Sequence, residues 1–351
     1  MSAPSPAHAL PLAEELRLAD LGRRVVTISF VLLLFALSLA TAPLWLVLAF
    51  AIDRAFRGRR AALRCAGFLS WYLLCETGGL LAIALVKLAQ LRGREAFLEA
   101  NRKLQNAWAR SLATGARLTF GIRFEVENAD VLSRGPVLLL LRHATVADTL
   151  IPTLAAAIPY GLRLRYVLKS ELLWDPCLDI VGHRLRHYFA RRGSGETEQE
   201  VARIARLAQG LGPQDGVLIY PEGTRFTGTK RDRILARLAE KGADERLTAA
   251  RRLRHVLPPR FEGTLGLLEA APEADIVVCA HTGLEATTSF WELWTGQAVN
   301  GVLRASCWRI PRAEVPKTRA GRIEWLEAQW QRVDDWIDAN RRTAPASEGR
   351  P

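Results

Sequence analysis

The sequence predicts an α/β domain, a mixed and largely parallel sheet with flanking helices, preceded by an N-terminal membrane-embedded helical anchor. Three observations carry that prediction. Apolar residues concentrate before residue 92, where two long runs occur, whereas beyond it short apolar runs alternate with helical patterns. Residues 137–141 are five consecutive apolar residues bounded by Gly135-Pro136 and by Arg142, as in a strand buried on both faces. Residues 164–168 and 217–220 also read as strands and also end in polar or turn-forming residues, so their loops gather at strand carboxyl ends.

The 351 residues accommodate one large or two modest domains with a sizeable core. A net charge of +12 implies acidic partners: nucleic acid, anionic lipid headgroups or a phosphorylated substrate. No recognised nucleic-acid motif is present, which argues against the first. Cys65, Cys75, Cys177, Cys279 and Cys307 are odd in number, widely spaced and lack a C-x-x-C pair. They suit a reducing compartment better than a disulfide framework or a zinc site.

Taken in order, residues 1–22 are a disordered and amphipathic N-terminus, with apolar residues at helical spacing over 12–21. Residues 23–92 form the anchor. Residues 25–52 carry no charge, and residues 67–91 carry only Glu76 and Lys87. A cleaved signal peptide competes for the first run, because Ala40-Thr41-Ala42 imitates a cleavage site. Acidic residues precede that run, however, and it stays apolar past Ala42. Arginines flank every end of both runs, and each run has a breaker near its middle, Thr41-Ala42-Pro43 and Gly78-Gly79. Two re-entrant segments would leave all the arginine on the cytosolic face, against anionic lipids; two ordinary spans are the alternative.

The α/β domain is expected over 93–312. Residues 94–110 read as an amphipathic helix, and 118–126 as a strand with Gly121 a bulge. The strand at 137–141 then delivers His143, and a helix starting near Asp148 would run to residue 158, with Pro152 tolerated early. A histidine close to the positive end of a helix favours the neutral imidazole, the form that accepts a proton, and Asp148 is placed to fix its tautomer. The pair alone fits a surface histidine beside a helix N-cap equally well. Residues 181–192 read as a turn into a short strand, 188–190, delivering Arg191 and Arg192; as a helix they would instead put His183 and His187 on one face at metal-ligand spacing. Thr197 caps a helix with Val201, Ile204 and Leu207 buried and Gly210 as its stop.

The strand at 217–220 ends in Pro221-Glu222-Gly223-Thr224-Arg225. His143 with Asp148, then Phe189-x-x-Arg192, then this pentapeptide, in that order and spacing, resembles the glycerolipid acyltransferase family of lysophosphatidate and related lysophospholipid acyltransferases. The resemblance covers residues 137–280. It implies His143 as general base with Asp148 as its partner, and Arg192, Glu222, Gly223, Thr224 and Arg225 in the pocket for the acceptor's glycerol phosphate. It also implies fatty acyl transfer from acyl-CoA or acyl carrier protein to a free hydroxyl, with 1-acyl-sn-glycerol-3-phosphate the expected acceptor. The residues suit these roles: an alcohol attacking a thioester needs a neutral imidazole, a phosphate suits planar guanidinium forks, and Gly223 lets backbone approach a ligand.

Residues 227–255 form a charged insertion, expected to be a solvated face with a helix around 234–238. His255-Val256-Leu257-Pro258-Pro259-Arg260 resembles an element of the family branch with such insertions, which makes Arg260 a further phosphate ligand. Residues 276–281 supply a strand without the proline of the family's last motif, leaving His281 as a structural histidine. Trp291 and Trp294 suit either an acyl entrance or core packing. Residues 313–342 hold a C-terminal amphipathic helix and 343–351 a tail.

The expected enzyme needs no metal and no cofactor beyond the thioester co-substrate. Its partners are lysophospholipid, acyl thioester, anionic membrane lipids and, among donors, acyl carrier protein, with no nucleic acid. Its place is a membrane, a bacterial inner membrane with the catalytic domain on the cytoplasmic face. The competing reading is a membrane-bound metal-dependent hydrolase using His143, Asp148, His183, His187 and His281.

Overall fold

The computed structural model describes residues 18–56, 61–190, 197–285, 287 and 290–341. Helices α1 (Leu18–Ala40) and α2 (Ala42–Ala55) are separated at Thr41, with Pro43 in the first turn of α2, so the first apolar run breaks where expected. The second does not. Helix α3 (Ala62–Val86) passes through Gly78-Gly79 without interruption, and a Cβ on Gly79 would lie 2.8 Å from the Cys177 sulfur. Gly79 therefore permits close helix packing rather than a bend. Two segments, Asp20–Ala40 and Ala62–Arg92, are long and apolar enough to cross a membrane by length and composition. Helix α3 nevertheless binds the body along its length: Trp71 Nε1 donates to the Ser111 carbonyl, Tyr72 to Asp175, and Trp108 Nε1 to Glu76.

A single-turn stretch, Lys87–Arg92, leads into α4 (Arg94–Phe120). This helix runs further than predicted and takes residues 118–120, because Gly121 in left-handed backbone (φ 72°) is its stop and not a bulge. Strand β1 is correspondingly Arg123–Glu127. Next come β2 (Val137–Leu141), short helical turns at Ala147–Thr149 and Thr153–Ala157, and α5 (Ile158–Tyr160), in place of one regular helix. Then follow β3 (Arg163–Lys169), α6 (Pro176–Arg184), β4 (Tyr188–Ala190), α7 (Glu198–Leu207, capped by Thr197) and β5 (Asp215–Ile219).

The charged insertion folds as α8 (Gly228–Glu240) and α9 (Asp244–Arg252). After it come α10 (Phe261–Ala270), β6 (Asp275–Thr282), α11 (Phe290–Leu293), β7 (Val302–Ile310) and α12 (Arg319–Arg341). Strand β7 has no counterpart in the sequence reading, because Arg304, Ser306 and Arg309 interrupt its apolar residues.

The seven strands form one sheet in the order β1-β7-β6-β2-β5-β3-β4. Pairing is parallel except between β6 and β7, so β7 and β1 run against the other five strands. Strand β2 is central, flanked by β5 and β6, and all five of its residues are buried. Its side chains alternate between two cores: Leu139 and Leu141 pack toward Phe120 and Ile151, while Leu138 and Leu140 pack with Leu265, Leu268 and Trp330. Helix α12 buries Leu326, Trp330, Val333 and Ile337 in the second core, as its stripe predicts. The carboxyl ends of β2, β3, β5 and β6 thereby meet on one edge.

Candidate functional site

His143 leaves the end of β2 in a loop tied down on both sides. Its Nδ1 lies 3.0 Å from Asp148 Oδ2, which also accepts the N–H groups of Ala144 (2.6 Å) and Thr145 (2.9 Å). Asp148 Oδ1 accepts the Thr145 hydroxyl at 2.6 Å. Burial alone would raise the Asp148 carboxyl, but His281, His143 and Thr145 hold it well below the usual carboxylate range. An ionised carboxylate at Nδ1 keeps the imidazole proton there and leaves the lone pair on Nε2. Burial lowers the His143 pKa from the ordinary imidazole value, and Lys169 and Arg225 add to this against the pull of Asp148. The ring is therefore neutral at neutral pH, the state expected of a base. The tilted Tyr220 ring, with its centroid 4.4 Å away, packs against one face of the imidazole.

The loop after β5 is joined to this one by its backbone. Glu222 is buried, with Oε1 accepting the His143 N–H and Oε2 the Leu257 N–H, each at 2.8 Å. Burial pushes its carboxyl up to about 8, against the pull of those two N–H donors and of Arg142. Both oxygens face protein, so the direct contact with acceptor expected of Glu222 gives way to a brace between loops. The Phe226 N–H donates to the His143 carbonyl at 2.8 Å. Gly223 has φ 66°, and a Cβ there would stand 2.9 Å from Arg260 Nε, so Arg260 lies along this turn. Lys230, from the charged insertion, donates to Thr224 Oγ1 (3.0 Å) and to the Arg225 carbonyl (2.9 Å).

Two cations at the site were not assigned roles from the sequence. Lys169, at the end of β3, places Nζ 3.3 Å from His143 Nε2. Arg142, fully buried, pairs with Glu285 at 2.9 Å and donates to the carbonyls of His255 and His281. That pair holds the Glu285 carboxyl down at about 2, although burial works the other way. The signal for Lys169 was available: a lysine closing an apolar strand whose end shares an edge with His143.

Against known proteins, residues 123–282 match the family model described as Acyltransferase. A mouse (Mus musculus) 1-acyl-sn-glycerol-3-phosphate acyltransferase epsilon is 28% identical over 129 residues, 36% of this chain and 34% of its own, so this chain spans about a third of that relative. The crystal structure of the 1-acyl-sn-glycerophosphate (LPA) acyltransferase PlsC from Thermotoga maritima aligns with a TM-score of 0.52. The alignment covers 81% of this chain and all of that one at 12% identity, a likeness of fold. Residues 123–282 thus resemble acyltransferases in sequence, and the chain resembles one of them in fold.

His143, Asp148, Glu222, Gly223, Thr224, Arg225 and Arg260 all come to the same edge of the sheet. Arg192 lies outside the described residues; β4, which precedes it, pairs with β3 so that Ala190 stands opposite Lys169. Of the residues of the metal-dependent alternative, His143 and His281 meet at Asp148, whereas His183 and His187 stand apart from them. His183, on α6, bonds to Asp179, while His187 receives the Tyr166 N–H and meets Gln105 at 2.9 Å. Among the described residues no three His, Cys, Asp or Glu side chains gather as a metal set.

Proposed function

We propose that this chain transfers a fatty acyl group from acyl-CoA or acyl carrier protein to the free hydroxyl of a lysophospholipid, with 1-acyl-sn-glycerol-3-phosphate as acceptor and phosphatidate as product. The single observation that carries the reading is a neutral, carboxylate-oriented imidazole whose basic nitrogen faces a lysine ammonium. His143 Nε2 removes the hydroxyl proton as the oxygen attacks the thioester carbonyl, and the proton passes to the departing thiolate sulfur. The tetrahedral oxyanion forms beside the base, within reach of the Lys169 ammonium, which stabilises the charge that develops there. Arg225 and Arg260 are the described guanidinium groups for the acceptor phosphate, with Arg192 as a further ligand. Glu222, Gly223 and Thr224 shape their loop. No covalent acyl-enzyme is needed, and no metal.

The exposed leucine and valine side chains of α1, α2 and α3 support contact with lipid acyl chains, and the net charge of +12 supports anionic headgroups around them. Helix α3 lies along α4, whose outer face carries Glu95, Arg102 and Lys103. A helix so paired is poorly placed to cross the hydrocarbon core, which favours an anchor seated in one leaflet of a bacterial inner membrane, with the catalytic domain on the cytoplasmic face.

The experiment is incubation of the purified full chain with labelled acyl-CoA and a panel of lysophospholipids. Labelled phosphatidate is the expected product, and His143→Ala is expected to lower its rate by at least about a hundredfold. No acylation of any lysophospholipid, or full activity in His143→Ala, would refute the reading.

A further inference from the structure

His281 is the last residue but one of β6, the strand that lacks the proline the resemblance leads one to expect near its end, and the roles described above give its side chain no task in positioning the base. It is completely buried. Its Nε2 lies 3.3 Å from Asp148 Oδ1, the carboxylate oxygen that His143 does not use, and 3.1 Å from the Arg142 carbonyl. Among the described residues its Nδ1 has no hydrogen-bond partner. An imidazole whose Nε2 faces two acceptors carries its proton there, which leaves a buried Nδ1 lone pair unsatisfied. Leaving a buried acceptor unpaired costs on the order of 1–3 kcal/mol, which an apolar residue at a strand end would avoid.

The geometry points to His281 as a positioning residue for the base: its Nε2, which donates to the Arg142 carbonyl, stands 3.3 Å from Asp148 Oδ1, the oxygen that His143 does not use, so the carboxylate is held between two imidazoles. This rests on the acyl-transfer reading of His143, but the clamp is a property of the resting protein.

The charged groups around His281 support one direction of donation. Arg142, just past the end of β2, is fully buried and repels a second charge on this ring; Asp148 and Glu285 attract one. Strand β7, on the other side, offers only Ala305 opposite. Burial, reinforced by Arg142, keeps the ring neutral, so it faces Asp148 as a fixed dipole. Three donors hold Asp148 besides His143, two backbone N–H groups and the Thr145 hydroxyl, and the polarised edge of His281 adds to them. A carboxylate shared among them exerts a weaker pull on the His143 proton than one with a free oxygen, which helps to keep the base unprotonated.

The test compares His281→Gln, whose amide nitrogen can occupy the Nε2 position, with His281→Asn, whose amide nitrogen reaches only the Nδ1 position. Both are polar and of similar size. The primary readout is the titration of the His143 imidazole by NMR in histidine-labelled full-length protein, with the signal assigned from His143→Ala. It is independent of turnover, so an inactive wild type would sink the acyl-transfer reading and leave this measurement standing. In His281→Gln the His143 midpoint should stay at its wild-type value. In His281→Asn it should rise by roughly half a unit to one unit. Where turnover is measured, His281→Asn should lose about tenfold in kcat with KM within about twofold, and His281→Gln should recover most of that loss. Identical His143 midpoints in the two variants would overturn the proposal and leave His281 a packing residue.

Discussion

His143 Nδ1 lies 3.0 Å from Asp148, and His183 Nδ1 lies 2.9 Å from Asp179, yet the two pairs differ in almost everything else. His143 sits on a loop at the carboxyl end of a central strand. His183 sits on α6, one turn after Asp179, where the carboxylate also receives Arg23 at 3.0 Å and Arg24 at 2.9 Å from α1. Burial acts to lower both histidines. It prevails at His143, where Lys169 and Arg225 add to it, whereas at His183 the hydrogen bonds to Asp179 overcome it and raise the pKa above the ordinary imidazole value. The first pair yields a neutral base facing a cation; the second is an electrostatic rivet between α1 and the body. Distance to a carboxylate does not by itself set the protonation of a histidine. Deeper burial at His143, and a second hydrogen bond to the Asp179 carbonyl at His183, separate the two.

The sharpest way to break this comparison is to remove each imidazole. His143→Ala should cost at least about a hundredfold in kcat/KM, while His183→Ala should change it by less than about threefold, with acylation rates as the measurement. Lys169→Ala removes the cation that distinguishes the first pair. Its expected loss is about a hundredfold, in kcat rather than in the acceptor KM, as for other oxyanion donors. Arg225→Ala should instead raise the acceptor KM by about tenfold and leave kcat within about threefold, since its proposed task is to hold the phosphate.

On the rivet side, Asp179→Asn leaves two arginines facing a neutral amide. Thermal unfolding should show a loss of about 1–2 kcal/mol, kept modest because both arginines still reach solvent.

The smallest effect separates the pairs by pH. A raised folded pKa means that the contribution of His183 is complete below pH 6.5 and disappears as pH rises through its folded value. A melting series from pH 6 to 8.5 should therefore decline slightly in wild type and more weakly in His183→Gln. The depressed pKa of His143 moves activity the other way, so the acid limb of kcat/KM should have its midpoint below 6.5.

Much of the candidate site was legible in the chain because the strands that build it are sharply punctuated. Gly135-Pro136 and Arg142 bracket β2, and Pro221 to Arg225 follows β5, so periodicity and turn chemistry agree. What escaped is what depends on neighbours distant in sequence. Gly121 and Gly79 read locally as a bulge and a break, but one ends a helix and the other admits Cys177. Strand β7 carries arginines that are satisfied across the sheet, as with Arg309 on Asp275 at 2.8 Å, so its alternation was obscured. Glu222 and His281 read as a ligand candidate and a structural residue; their partners, the His143 and Leu257 amides and Asp148, lie at least 35 residues away.

The double tie from Glu222 and Phe226 to the His143 backbone has a consequence for redesign. A laboratory seeking a new headgroup preference would naturally exchange the pentapeptide that starts at Pro221. Because that turn also fixes the posture of the imidazole, each exchange retunes the proton acceptor as well. Under the proposed function, selectivity and turnover are geared together, and a swapped loop must reproduce both amide contacts before its chemistry on a new lipid can be judged.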